Sequence, residues 1–234
     1  DGEEDTGQRS VFMDVYAALA KFHMKSFGTT QAQLAAVAAK NHAHSAHNPL
    51  SQYREAMTVD EVMAGRKVSW PLTLPMCSPI SDGAAAAIIC REEELDRFDR
   101  SRSVKIHATA LRTGSDRDPQ EFDRHITHLA ARDAYARAGL GPEDMHVAEV
   151  HDATAFAEIQ QVENLGFCDF GAGGALTESG ATSIGGRIPV NPSGGLESKG
   201  HPVGATGLAQ VFELTTQLRG EAGGRQVSDA KFAI

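Results

Sequence analysis

The chain is poor in the features that place a sequence quickly. Among 234 residues only three are cysteine, Cys77, Cys90 and Cys168, an odd number with no CxxC spacing. That argues against a disulfide framework and against a zinc knuckle, and a reducing compartment suits such thiols. Lys and Arg number 22 against 31 Asp and Glu, a net charge of −9, and no basic run offsets it locally. Such a balance argues against a nucleic-acid backbone as partner. No apolar stretch approaches the roughly 20 residues of a membrane span. The opening DGEEDTGQRS is acidic where a signal peptide is basic and then apolar. The chain also lacks an initiator Met and reads as a portion of something longer.

What is present is an ordinary globular composition, 41% hydrophobic, enough for one substantial core or two small ones. Its glycines gather in NPSGGLESKGHPVGATGLAQVFELTTQL, residues 191–218. There Gly194, Gly195, Gly200, Gly204 and Gly207 permit positive φ and close backbone approach, and Pro202 suits a chain about to enter a helix. His201 therefore sits beside a helix N-terminus, whose positive end lowers a histidine pKa and favours a neutral imidazole able to take a proton. A glycine-rich turn carrying a surface histidine explains the same residues without chemistry.

Taken in order, residues 1–10 lack apolar periodicity and read as a mobile lead-in. Val11 to Phe27 has helical spacing with Gly28 as its stop, and Thr29 or Thr30 caps a second helix through Ala39. KNHAHSAHNPLSQYR follows, with His42, His44 and His47; their spacings do not place three rings on one helical face, so no metal site is expected. VDEVMAG (59–65) reads as a short helix. Prolines at 71, 75 and 79 force extended or turn geometry, and the small apolar run from Gly83 to Ile89 reads as a buried strand. Cys77 has no basic neighbour and reads as a structural thiol.

VKIHATALRT (104–113) alternates as a strand does, and residues 126–138 carry helical spacing ended by Gly139. MHVAEVHDA is a second strand ending on His151-Asp152, and a helix from about Thr154 to Leu165 follows. This alternation predicts an α/β layered domain whose ligands gather where strands end. His151 lies at such an end, and so does the His201 turn if RIPVN (187–191) joins the same sheet. A capping or hydrogen-bonded structural role for His151 beside Asp152 is the competing reading.

Several of these runs, in this order, resemble one family. VHDATAF, NPSGGLESKGHPVGATGLAQ and QLRGEAGGRQV are similar to the C-terminal half of the thiolase superfamily, nearest the sterol-carrier-protein type and its bacterial relatives. KNHAHSAHNPLSQY, YREAMTVDEVMAGRKV and CSPISDGAAAAII resemble its loop domain and the strand closing its N-terminal half. The resemblance implies part of a layered α-β-α-β-α sandwich. Residues 1–75 would be a mostly helical loop domain, 76–100 the closing strand and linker, and 101–234 the C-terminal half without its last strand.

It also implies an acyl-CoA acyltransferase working through a cysteine acyl-enzyme, by thiolysis of 3-ketoacyl-CoA or Claisen condensation. His201 in GHP would assist the nucleophile and the thioester oxyanion, with His151 of the HDCF position on its other side. Ser78, Gly200 and Gly194 would contact substrate, Ser78 at the pantetheine arm. No cofactor is implied beyond coenzyme A as substrate or product, and no metal. Expected partners are acyl-CoA, further copies in a dimer or tetramer, and a small OB-fold protein; the expected location is cytoplasmic, or peroxisomal in a eukaryote.

Three departures qualify the resemblance. The nucleophilic cysteine loop is missing, since none of Cys77, Cys90 or Cys168 lies in its motif. The chain stops at KFAI, before the family's final glycine loop. HDCF is HDAT here, so Ala153 replaces a proton-shuttling cysteine. A non-catalytic subunit that binds acyl-CoA or a partner protein is the alternative these departures support.

Overall fold

The computed structural model describes residues 10–114 and 116–234. Apart from Ser10, the expected lead-in lies outside them. Helix α1, Val11–Phe27, stops where the sequence indicates, at Gly28 with φ 80, whose N–H closes on Met24 O. Helix α2, Gln31–Ser45, begins at a capping box. Thr30 Oγ1 accepts from Gln33 N at 3.2 Å and Gln33 Oε1 accepts from Thr30 N at 3.0 Å, an arrangement worth about 1 kcal/mol. The helix runs past the expected end at Ala39 because Lys40, Asn41 and His44 find buried partners on other segments. Polar residues that read as loop thus continue the helix.

A second capping box, Thr58 with Glu61, starts α3, Val59–Ala64. Next comes a hairpin that periodicity did not indicate, β1 (Lys67–Ser69) paired antiparallel with β2 (Leu72–Thr73). One core forms where α1, α2 and α3 meet Leu72, Met76 and Cys77, and Ala155, Phe156 and Ile159 complete it from further along the chain.

The other core surrounds short segments that run parallel. Helix α4, Ile126–Ala138, ends at Gly139 in the left-handed region, and α5, Ala155–Asn164, is capped by Thr154. Between them, residues 146–149 run parallel to 232–234, with His146 N on Phe232 O at 3.0 Å and Glu149 N on Ile234 O at 2.9 Å. On the other side Ala148 bridges Val190 in parallel, and Asn191 N donates to Ala148 O at 2.8 Å. The expected strands at 145–153 and 187–191 are thus joined in parallel at Ala148 and Val190, through isolated bridges rather than a continuous ladder. Val147, Ala148 and Val190 are fully buried there, as parallel strands covered on both faces must be. Helices α6 (Gly173–Glu178), α7 (Gly195–Lys199) and α8 (Thr206–Leu218) complete the described elements. The whole is α/β.

Two expected strands are not strands here. Residues 83–89 are extended and mostly exposed, with Ile88 86% and Ile89 75% accessible, and they make no backbone pairing among the described residues. A small apolar run is buried only if another element lies on it, and none of the described ones does. Residues 104–113 are likewise extended without a ladder. They are tied to α4 instead, through the Arg112–Asp133 ion pair and Arg137 Nη1 on Thr109 O at 2.7 Å.

Candidate functional site

The ends of two adjacent parallel strands place both histidines. His151 follows Val150, whose N–H donates to Asn191 Oδ1 at 2.8 Å, so the 146–150 strand is pinned to the turn that opens the glycine segment. Asn191 itself has φ 54 and is fully buried. The chain then forms α7 and leaves it through Gly200 at φ 114. A Cβ there would stand 2.6 Å from Ser81 Oγ, so the position requires glycine on both counts. His201 comes next, and its N–H donates to Ser81 Oγ at 3.1 Å.

Residues 77–81 run beside both loops. Ser78 N donates to Ala153 O at 3.0 Å, and Ile80 bridges His201 in parallel. The result brings His151, His201, Gly200 and Ser78 together. Gly194 lies elsewhere: its missing side chain leaves room for Ser45 on α2, so its place in the structure is packing.

The two imidazoles stand edge to face, with ring centroids 4.8 Å apart at 85°. Burial holds the His201 pKa below the ordinary value, and burial followed by the His201 charge does the same for His151. Both are therefore neutral at pH 7. Thr206 Oγ1 gives its one proton to Pro202 O at 3.2 Å, leaving lone pairs toward His201 Nδ1 at 2.7 Å. His201 then carries its proton on Nδ1 and presents Nε2 as a bare acceptor.

The thiols of the chain are not matched to that base. Burial pushes Cys77 up to about 12, and it donates to Thr73 O at 3.5 Å. Cys168 is also pushed to about 12, by burial and then Glu163. Cys90 is exposed beyond the extended apolar run. None of the three is hydrogen-bonded to either histidine among the described residues.

The other histidines serve structure. His44 Nδ1 donates to Asn191 O at 3.0 Å while Nε2 accepts from Ile184 N at 3.1 Å, and burial pushes its pKa to about 3. His42 stacks on Tyr53, and His47 is exposed. No group of three or more His, Cys, Asp or Glu among the described residues is arranged to hold a metal ion. Concavities of about 430 and 350 Å³ lie away from the pair, lined around His146 and Phe232 and around Phe22 and Phe122 respectively.

Sequence reasoning missed a charged network beneath the site. Lys40 of α2 pairs with Glu158 of α5 and donates to Val190 O at 2.9 Å. Asn41 Nδ2 donates to Glu158 Oε2 at 3.0 Å and to Asp152 Oδ2 at 3.1 Å. Asp152 Oδ1 accepts from Leu196 N at 2.8 Å, joining the His151 strand end to α7, which leads into His201. Beside it Glu149 accepts from Ser193 N and Oγ and pairs with Lys199 at 3.2 Å. The available signal was an acid, Glu158, flanked in sequence by the apolar Ala157 and Ile159.

Residues 109–234 match the thiolase C-terminal domain-like family. The chain is 45% identical over 236 residues to acetyl-CoA acetyltransferase of Methanothermobacter thermautotrophicus, covering 100% of the chain and 62% of that protein. It is 44% identical over 230 residues to sterol carrier protein 2 of Rattus norvegicus, covering 94% and 42%. With benzoylsuccinyl-CoA thiolase subunit BbsB of Thauera aromatica the identity is 34% over 225 residues, covering 95% and 58%. The chain thus spans 62% or less of the length of these curated relatives. A solved structure of an Ltp2-ChsH2(DUF35) aldolase superposes with a TM-score of 0.78 at 23% identity, over 100% of this chain and 64% of that one, a likeness of fold. No helix among the described residues is long and apolar enough to cross a membrane.

Proposed function

Because the chain belongs to the thiolase family, we propose that it forms the histidine side of an acyl-CoA acyltransferase whose nucleophilic cysteine lies outside these residues. The observation that carries this reading is the His151–His201 pair, two neutral rings 4.8 Å apart at adjacent strand ends. His201 Nε2 would take the proton of a cysteine thiol. The thiolate would attack the carbonyl carbon of a thioester or 3-ketoacyl-CoA, and its π electrons would move onto oxygen. A donor on the His151 side would stabilise that oxyanion. Collapse would expel the CoA thiolate or the enolate of acetyl-CoA and leave an acyl-enzyme. Ser78, whose N–H is held by Ala153 O, would meet the pantetheine arm. A homo-oligomer and a cytoplasmic or peroxisomal location belong to the same reading.

The test uses the full-length protein with acetoacetyl-CoA and CoA. Turnover, with an acetyl adduct on a cysteine by mass spectrometry, is the expected result. Neither turnover nor adduct would overturn it.

A second reading has one specific observation behind it. Ala153, buried to 6% exposure, stands where the sterol-carrier type carries a cysteine, so no side chain at that position moves a proton. On this reading the chain binds acyl-CoA, or a small OB-fold partner, without carbon–carbon bond chemistry. Acyl-CoA binding by calorimetry without an acyl-enzyme would favour it.

A further inference from the structure

Beneath the histidine pair lie more buried acids than buried cations. Glu149, Asp152, Glu158 and Glu197 are all buried, against the ammonium groups of Lys40 and Lys199. Glu158 is matched by Lys40 and Glu149 by Lys199. Asp152 at least accepts two N–H bonds. Glu197, on α7, is fully buried, and neither of its carboxylate oxygens has a partner among the described residues. A buried, unpaired, ionised carboxylate is untenable; such a group neutralises.

A second orphan shows where its proton goes. Asn41 Oδ1 is also buried without a donor, although Asn41 Nδ2 is fully used on Asp152 and Glu158. Glu197 lies beside the Asn41 amide, whose N–H would favour an ionised carboxylate, but both hydrogens of Nδ2 are spent on Asp152 and Glu158, so a donor between the two side chains has to come from Glu197. An ionised Glu197 would set two acceptors against each other there. A protonated one supplies the missing donor.

We infer that Glu197 is held as a neutral carboxylic acid whose O–H donates to Asn41 Oδ1, and that it acts through Asn41 and Asp152 as a positioning residue for the His151–His201 pair. Asp152 is the peptide neighbour of His151, and its Oδ1 grips Leu196 N at the start of α7, four residues before Gly200. The Glu197–Asn41–Asp152 chain therefore sets the spacing between the two histidine loops. Burial and the neighbouring Asp152 and Glu158 raise the Glu197 pKa well above the carboxylate range, in the direction this requires.

The titratable groups acting on Glu197 are Lys40 from α2, Cys77 after the hairpin, Asp152 at the end of the central segment and Glu158 from α5, while Tyr16 from α1, Glu149 and Lys199 act on Asp152 beside it. Tyr16 and Cys77 are pushed upward and stay neutral, so neither supplies a compensating charge. As pH rises, loss of the Glu197 proton would put a second charge beside Asp152 and Glu158. The loops would then separate.

This inference rests on the acyltransferase reading for its rate predictions only. In the full-length protein, Glu197→Met removes the donor and should lower kcat about tenfold with KM little changed. Glu197→Gln, whose amide donates to Asn41 without titrating, should recover that loss and remove the alkaline fall in kcat expected of the wild type. The urea midpoint should fall with rising pH more steeply in the wild type than in Glu197→Gln, where Asp152 and Glu149 still titrate, so the gap between them widens with pH. Independently of activity, infrared spectra of the wild type labelled at Glu should show a protonated carboxyl C=O band at pH 7 that Glu197→Gln removes. A Glu197→Met kcat like the wild type, a Gln variant no better than Met, or no protonated carboxyl band would each overturn the inference. Absence of any turnover in the wild type, with the band and the widening stability gap present, would count against the acyltransferase reading and leave Glu197 as the neutral acid.

Discussion

Lys40 and Glu158 form an ion pair with side chains only 5% and 0% exposed, joining α2 to α5 beneath the C-terminal ends of the central strands. The pair is further fastened by Lys40 on Val190 O and by Asn41 and Asn191 on Glu158 Oε2. Removing one member leaves a charge in the interior with no counter-ion. Lys40→Met should therefore destabilise the protein by about 3–5 kcal/mol, read as a drop in urea midpoint with the slope unchanged. Lys40→Met with Glu158→Gln should be markedly less harmful than the single change, because no unpaired charge remains. A single variant as stable as the wild type would mean that Glu158 takes up a proton at little cost.

The tautomer of His201 gives a second expectation. Thr206 holds the Nδ1 proton, so Nε2 faces the site without one. Replacing His201 by Ala should reduce acyl-enzyme formation by roughly 10²–10⁴-fold, the range for loss of a positioned base. Thr206→Val keeps the volume and removes the acceptor, and should give a smaller loss of about tenfold as the tautomer and ring orientation loosen. Rapid-quench mass spectrometry of the acyl-enzyme is the measurement. Equal effects from both variants would show that orientation rather than basicity matters.

Burial lowers both histidine pKa values, and that fixes the sign of the acid limb. An ordinary imidazole protonates near pH 6.5; here the rate of acylation should hold steady below that and fall only at more acid pH, as His201 gains a proton and can no longer accept one. The stability contribution has the same sign. The unfolded chain binds protons at these histidines before the folded one does, so stability present above the unfolded pKa is lost as pH falls through the folded value. Stopped-flow acylation rates between pH 5 and 8 test the first point, and an acid limb at or above the ordinary histidine value contradicts it.

What the sequence revealed followed the range of its signals. Gly28, Gly139 and the Thr30 cap stop or start helices through contacts within a few residues, and their positions are legible. The two histidines were legible because each follows a local strand or glycine turn. The run at 83–89 misled because composition records that residues are apolar but not what covers them. The network of Lys40, Asn41, Asp152, Glu158 and Glu197 was hidden for a different reason. Its bonds join residues more than one hundred positions apart, and a Lys or Glu in a helix normally indicates a solvated face. Ser81, whose hydroxyl meets the His201 N–H, was hidden by the same distance.

Ala153 decides how far the chemistry can go, and it can be changed without disturbing either histidine. Its backbone carbonyl holds Ser78 N at 3.0 Å, a bond independent of its side chain. A cysteine there adds one sulfur in a position 6% exposed, at a packing cost of about 1–3 kcal/mol if the surroundings do not relax. In exchange the site gains a titratable group beside His151. Ala153→Cys in the full-length protein should therefore raise exchange of the acetyl-CoA methyl hydrogens with deuterated water by more than tenfold, since enolate formation needs a base at the α-carbon. Acyl-enzyme formation, which on the proposed reading depends on His201, should change little. If exchange is already fast in the wild type and unaffected by the substitution, another group performs the proton transfer and Ala153 does not limit the reaction. If exchange appears only with the cysteine, the wild-type chain handles acyl groups without making or breaking carbon–carbon bonds.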